Sequence, residues 1–146
     1  LSSEGTVYVD ATNQIAGRMS SKVAKLLISG KRVVVVNAEK SLLSGSRTSV
    51  VRQWQEKLEI ASHVNPIYGP IHPRRPDNIL KRMVRGMVPR KKAKGDMAMK
   101  RLRVYIGVPE GVDAARLTRF EDAAAQRPIP VYVTMKELSK TLGWNE

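Results

Sequence analysis

"TVYVDATNQIAGRMSSKVAKLLISGKRVVVVNA", residues 6–38, decides the fold. Its first six residues, "TVYVDA", have the β-branched and aromatic content of a short strand. Ile15, Met19, Val23, Leu26 and Leu27 then recur at helical spacing, with Arg18, Lys22 and Lys25 mostly on another face. Asn13 is placed to cap the start of this helix and Gly30 to follow its end. "RVVVVNA", residues 32–38, is apolar without alternation, as expected of a strand covered on both faces. Strand, helix and apolar strand within about thirty residues make a right-handed βαβ unit.

Outward from this unit, "SGSRTSVVRQWQEKLEIA" predicts a second helix, capped by Ser46, with Val50, Val51, Trp54 and Leu58 on one side. Four prolines and a glycine in residues 62–76 predict an extended loop. A helix starts near Asp77, and Pro89 is expected to end it. Asp96 is expected to cap a short helix leading into a strand at 102–108. "DAARLTRFEDAAAQ" is helical in composition, and "PIPVYV" suits a sheet edge. Thr134 with Glu137 forms a capping box, Val133 with Leu138 a hydrophobic staple, and the last helix ends at Gly143. The expected architecture is one three-layer α/β domain over residues 1–146, a small, mostly parallel sheet flanked by helices, plus a basic helix-loop segment.

Composition narrows the function. The chain of 146 residues has no cysteine, so disulfides and cysteine metal sites are excluded. No apolar run approaches the roughly 20 residues of a membrane span, and the first residues have no signal-peptide pattern. The net charge is +13, and it is concentrated. Residues 72–103 hold 12 basic and 2 acidic side chains, against 9 and 5 in residues 1–71 and 5 and 6 in residues 104–146. Ten uncompensated charges repel one another in the folded state, and a polyanionic partner is the simplest compensation.

The centre of this segment has a geometry. At about 100° per residue, Ile79, Leu80, Met83, Val84 and Met87 span an arc of roughly 140°. Lys81, Arg82 and Arg85 fall on the opposite side, so the helix docks on the core and displays its cations. Gly86 within it has two readings, close approach of another backbone or a helix end. "RKKAKG" is expected to protrude as a loop carrying Arg90, Lys91, Lys92 and Lys94, next to Arg74 and Arg75 of "HPRRP". Arginine forks and lysine point charges suit phosphate oxygens. Aromatic side chains are 5% of the chain, which favours contact with phosphate, sugar and shape over reading of splayed bases. Membrane binding is disfavoured, because the apolar stripe faces the core.

Enzyme signatures are weak. Thr12, Arg18 and Met19 occupy places where a P-loop needs Gly, Lys and Ser/Thr. His63 and His72 have neither a carboxylate pair nor metal-ligand spacing. Asp10 and Glu39 each follow a strand, where α/β enzymes place functional groups, and are the alternative site for a nucleotide. No catalytic residue, cofactor or metal is predicted.

"VDATNQIAGRMSSKVAKLL", "RVVVVNAEKSLLSG" and "RRPDNILKRMVRGMVPRKKAKGDMAMKRLRVYIGVP" together resemble the large-subunit ribosomal protein family L-thirteen, in order over residues 7–109, about 70% of the chain. The resemblance implies a three-layer α/β domain without enzymatic activity. It also implies binding to large-subunit ribosomal RNA during subunit assembly, beside neighbouring large-subunit proteins in the cytoplasm. By position it points to Arg74, Arg75, Lys81, Arg82, Arg85, Arg90, Lys91, Lys92, Lys94, Lys100, Arg101 and Arg103 as RNA contacts, with Arg18 and Lys22 as further ones. "VPEGVDAARL" stands where bacterial members carry a His-rich motif, and no long C-terminal helical extension follows, so the archaeal type is expected.

Overall fold

The computed structural model describes residues 5–128 and 131–146. Along the chain run β1 (Thr6–Asp10), α1 (Ala16–Ile28), β2 (Arg32–Val36), β3 (Leu42–Ser44), α2 (Arg47–Leu58), α3 (Pro76–Arg85), α4 (Ala93–Lys100), β4 (Leu102–Val104), β5 (Leu117–Thr118), β6 (Tyr132–Thr134) and α5 (Met135–Thr141). The main sheet has the order β4-β2-β1-β5 with every pair parallel, and β3 and β6 form a small antiparallel pair. The βαβ unit forms as expected, with Thr6 opposite Arg32 and Asp10 opposite Val36.

The fold is three-layered α/β around this sheet. From β1 to β2 to β4 the chain crosses the sheet in one direction, and α1, α3 and α4 belong to those crossovers. From β4 to β5 it returns past two strands. Residues 105–116 make that return; they include a 3-10 turn at Ala114–Arg116 and contribute no buried side chain. Val9, Val33, Val35 and Leu102 are paired in register and fully buried beside Met19, Val23 and Leu27 of α1. A buried aliphatic side chain contributes about 1.5–3 kcal/mol, so this seam carries much of the stability.

Helix ends follow local chemistry where no tertiary contact overrides it. Gly30 has φ +100; its N–H donates to Leu27 O and that of Lys31 to Leu26 O, a two-bond closure that favours glycine. Gly143 closes α5 in the same way, at φ +111. The Ser46 hydroxyl accepts from Ser49 N at 3.3 Å and caps α2. Thr134 accepts from Glu137 N at 3.2 Å, but the Glu137 carboxylate turns to Arg47 at 3.0 Å, so half of the capping box is used.

Several expectations are corrected. Asn13 does not cap α1: it has φ +58, its N–H donates to Lys40 O, and its carbonyl accepts from Ala125 N. Those long-range bonds hold the entry to α1, and Ile15 takes the cap position without a side-chain bond. Residues 113–126 are not a helix. They form two 3-10 turns and β5, because pairing of Leu117 and Thr118 with β1 and the bond from Ile15 N to Ala123 O outweigh the alanine content. The strand expected at 102–108 stops at Val104, and Gly107 turns the chain at φ +71. In "PIPVYV", residues 129–130 lie outside the described residues, and Tyr132–Val133 lie in β6, paired with β3.

Candidate nucleic-acid interface

α3 begins with Pro76 at a position where the missing N–H costs nothing, and Asp77 lies in its first turn. Ile79, Leu80 and Val84 are buried and Met83 packs partly against the core. Lys81 is exposed on the other side, and Arg82 and Arg85 are half-buried, their stems on the protein. The two opposed stripes are as the spacing requires.

The exit from α3 differs from expectation. The helix ends at Arg85, before Pro89, and Gly86 is its C-cap with φ −67. Of the two readings of Gly86 the helix end is correct, since an added Cβ would meet nothing nearer than 3.6 Å. Met87 lies beyond the helix and is exposed, not part of the inward stripe. Val88 is buried and anchors the turn. "RKKAKG" is a tight turn followed by helix, not a protruding loop: Lys92 N donates to Pro89 O at 3.0 Å, and Ala93, Lys94 and Gly95 open α4. Lys92 holds the N-cap position and Asp96 lies within the first turn, so Asp96 is not the cap. Gly95 is buried against the Pro89 carbonyl. The backbones of turn and helix touch there, which holds Arg90, Lys91, Lys92 and Lys94 outward on a fixed support, all four exposed.

Among the described residues, Arg18, Arg74, Lys81, Arg82, Arg85, Arg90, Lys91, Lys92, Lys94 and Lys100 have neither an acidic partner within ion-pair distance nor a side-chain hydrogen bond. Four other predicted contacts are engaged. Lys22 lies 3.2 Å from Asp122, and Arg75 lies 3.5 Å from Asp77. Arg101 donates to Leu27 O at 3.1 Å, tying α4 to the C-terminal end of α1, where a cation meets the helix dipole. Arg103 donates to Leu102 O at 3.0 Å and to Lys100 O at 3.3 Å. Arg18 and Lys22 belong to α1, apart in sequence from the α3–turn–α4 segment.

The alternative nucleotide site is internally occupied. Asp10, at the end of β1, accepts from Thr12 N (3.0 Å), the Thr12 hydroxyl (2.7 Å) and Asn37 Nδ2 (3.1 Å) on one oxygen, and from Arg119 Nη2 (2.8 Å) on the other. Burial works to raise its pKa, but the Thr12, Asn37 and Arg119 hydrogen bonds outweigh this and lower it to about 2. Glu39 accepts Gly107 N at 3.0 Å and so fastens the turn after β4. Both carboxylates tie strand ends to loops, a use the sequence did not reveal because Arg119 lies 109 residues from Asp10. The linkage has a sign. A carboxyl whose pKa is depressed on folding stabilises the fold above its unfolded pKa and loses that contribution as pH falls. Asp10 is thus expected to contribute about 2 kcal/mol at neutral pH, lost between its ordinary value of 3.8 and about 2. Urea melts at stepped pH should show this loss, and Asp10→Asn should remove the acid-dependent part over that window.

His72 Nε2 lies 2.7 Å from Ile60 O, to which it donates, and among the described residues no three His, Cys, Asp or Glu side chains cluster as metal ligands. No helix of the described residues is long and apolar enough to cross a membrane.

Comparison with known proteins agrees with this picture. The family model described as Ribosomal protein L13 matches residues 4–111. A large ribosomal subunit protein uL13 of Sulfurisphaera tokodaii is 50% identical over 142 residues, 97% of each chain. The uL13 of Sulfolobus acidocaldarius is 46% identical, covering 97% of this chain and 96% of its own. That of Archaeoglobus fulgidus is 43% identical, covering 93% and 86%. With a family match over most of its length and archaeal relatives matching nearly end to end, the chain belongs to the ribosomal protein L13 family, as a structural ribosomal protein of archaeal type and not an enzyme.

Proposed function

We propose that the chain is a cytoplasmic constituent of the large ribosomal subunit that binds large-subunit ribosomal RNA through the α3–turn–α4 segment and supports assembly of that subunit among its protein neighbours. The observation that carries this is that, among the described residues, Lys81, Arg82, Arg85, Arg90, Lys91, Lys92, Lys94 and Lys100 have no acidic partner, while the opposite side of α3 is core. Such groups neutralise phosphates where RNA helices pack closely, and they do so without reordering, because the turn is fixed by Val88 and by the Gly95–Pro89 contact. The relatives named as large ribosomal subunit proteins support the same partner.

A general nucleic-acid binder would use the same phosphates without regard to RNA shape. Competition between protein-free large-subunit RNA and duplex DNA, at equal phosphate concentration and fixed salt, separates the two. The RNA should bind more tightly by at least about tenfold, within the usual gap between specific and non-specific binding. Equal affinity would contradict a ribosomal-RNA site.

A further inference from the structure

The segment between α2 and α3 has a feature that phosphate contact does not use. Residues 60–71 carry five of the nine exposed large apolar side chains among the described residues: Ile60, Val64, Ile67, Tyr68 and Ile71. Tyr68 is 83% exposed and Ile71 70%. Apolar surface grouped in this way marks a contact with something else. Beside it is a cavity of about 330 Å³, within the size range of small-ligand sites. α2 supplies Trp54 and Leu58 to its lining, the loop Ile71 and His72, and α3 Met83 and Arg82. Lys57, also in the lining, places its Nζ 4.5 Å from the centre of the Trp54 ring.

We infer that this cavity accepts one unpaired nucleobase of the bound RNA, with Trp54 as its aromatic wall and Lys57 and Arg82 meeting the adjoining phosphate. The inference rests on the RNA-binding role proposed above and deepens it. Two observations choose this occupant. Every fully charged side chain in the lining is cationic, so the site suits a planar apolar body joined to an anion. Arg82 also belongs to the outward stripe of α3, so the cavity is continuous with the phosphate-binding surface. His72 donates from Nε2 to Ile60 O, which fixes its ring at the edge of the cavity. An aromatic wall is also what single-stranded RNA uses when its bases leave the helix.

The test uses full-length protein carrying Trp144→Phe, so that Trp54 is the only fluorescent indole. It is titrated with hexa-adenylate and with an abasic hexaribose-phosphate of equal charge. Hexa-adenylate should quench Trp54 and bind at least about fivefold more tightly than the abasic chain, from the stacking of one base. Adding Trp54→Leu, with binding then followed by filter retention, should remove that difference and leave the salt dependence in place; Trp54 also packs against the core, so the melting temperature should fall by several degrees while the protein stays folded at the assay temperature. Equal binding of the two chains with unchanged Trp54 fluorescence overturns the base site, points to a protein segment as the occupant, and leaves the phosphate surface standing. Failure of both chains to bind at low salt overturns the base site and the phosphate surface together.

Discussion

Gly95→Ala is expected to destabilise the protein by about 2–3 kcal/mol, lowering the melting temperature by about 5–10 °C. A Cβ at this position would overlap the Pro89 carbonyl and lie 2.8 Å from Arg90 N. These are backbone atoms, so no rotamer change relieves the overlap, and the turn itself must move. Alanine in a helix is otherwise favourable by up to about 1 kcal/mol over glycine, which makes the sign of the effect informative. Gly86→Ala is the control. Its Cβ would meet nothing nearer than 3.6 Å, and the change should be neutral or slightly stabilising. Thermal melts of the two variants check this directly, and equal melting temperatures would contradict the close packing of turn and helix. Because the displaced turn carries Arg90, Lys91 and Lys92, Gly95→Ala should also weaken RNA binding below its melting temperature, although it removes no charge.

The second large effect is on affinity. Replacing Arg82, Arg85, Lys91 and Lys92 by Ala should weaken binding to large-subunit RNA at about 0.1 M salt by on the order of a hundredfold to a thousandfold, through the loss of four counterion-releasing contacts. Among the described residues none of the four has an ion-pair partner, so the melting temperature should move by only a few degrees. Net charge alone would predict the same loss from any four cations. The control therefore removes Arg47, Arg52, Lys136 and Lys140, each already paired with Glu137, Glu56 or Glu146. Filter binding of the two quadruple variants separates a local surface from overall charge, since the second should stay within about threefold of the parent.

Much of this architecture was legible in the chain. Met19, Val23 and Leu27 recur at a helical period and are fully buried, and the valines of β2 form an inner strand. The opposed stripes of α3 followed from residue order alone, as did the closures at Gly30 and Gly143. Boundaries set by long-range contacts were not legible. Residues 113–126 have a helical composition, but β1 offers an unpaired edge that captures Leu117 and Thr118. α3 stops at Gly86 because Val88 must turn back into the core, a demand that no local pattern displays.

The candidate site divides in the same way. Which cations are clustered was evident from charge along the chain, whereas which are free depended on partners far away in sequence. Arg101 is taken by the Leu27 carbonyl, 74 residues distant, and Lys22 by Asp122. The groove beside Trp54 was missed because it needs α2, α3 and the loop between them together. A signal for it existed in the uncharged, proline-interrupted apolar run that precedes Arg74.

The central claim is that free cations of the α3–turn–α4 segment neutralise RNA phosphates. Its most direct test is the salt dependence of binding to large-subunit RNA, measured side by side for the parent chain and for the Arg82, Arg85, Lys91, Lys92 quadruple alanine variant. Contact with about six phosphates predicts a log–log slope near −4 to −5 for the parent, falling to about −1 to −2 in the variant. A flat dependence for the parent, or the same slope for both proteins, would contradict it.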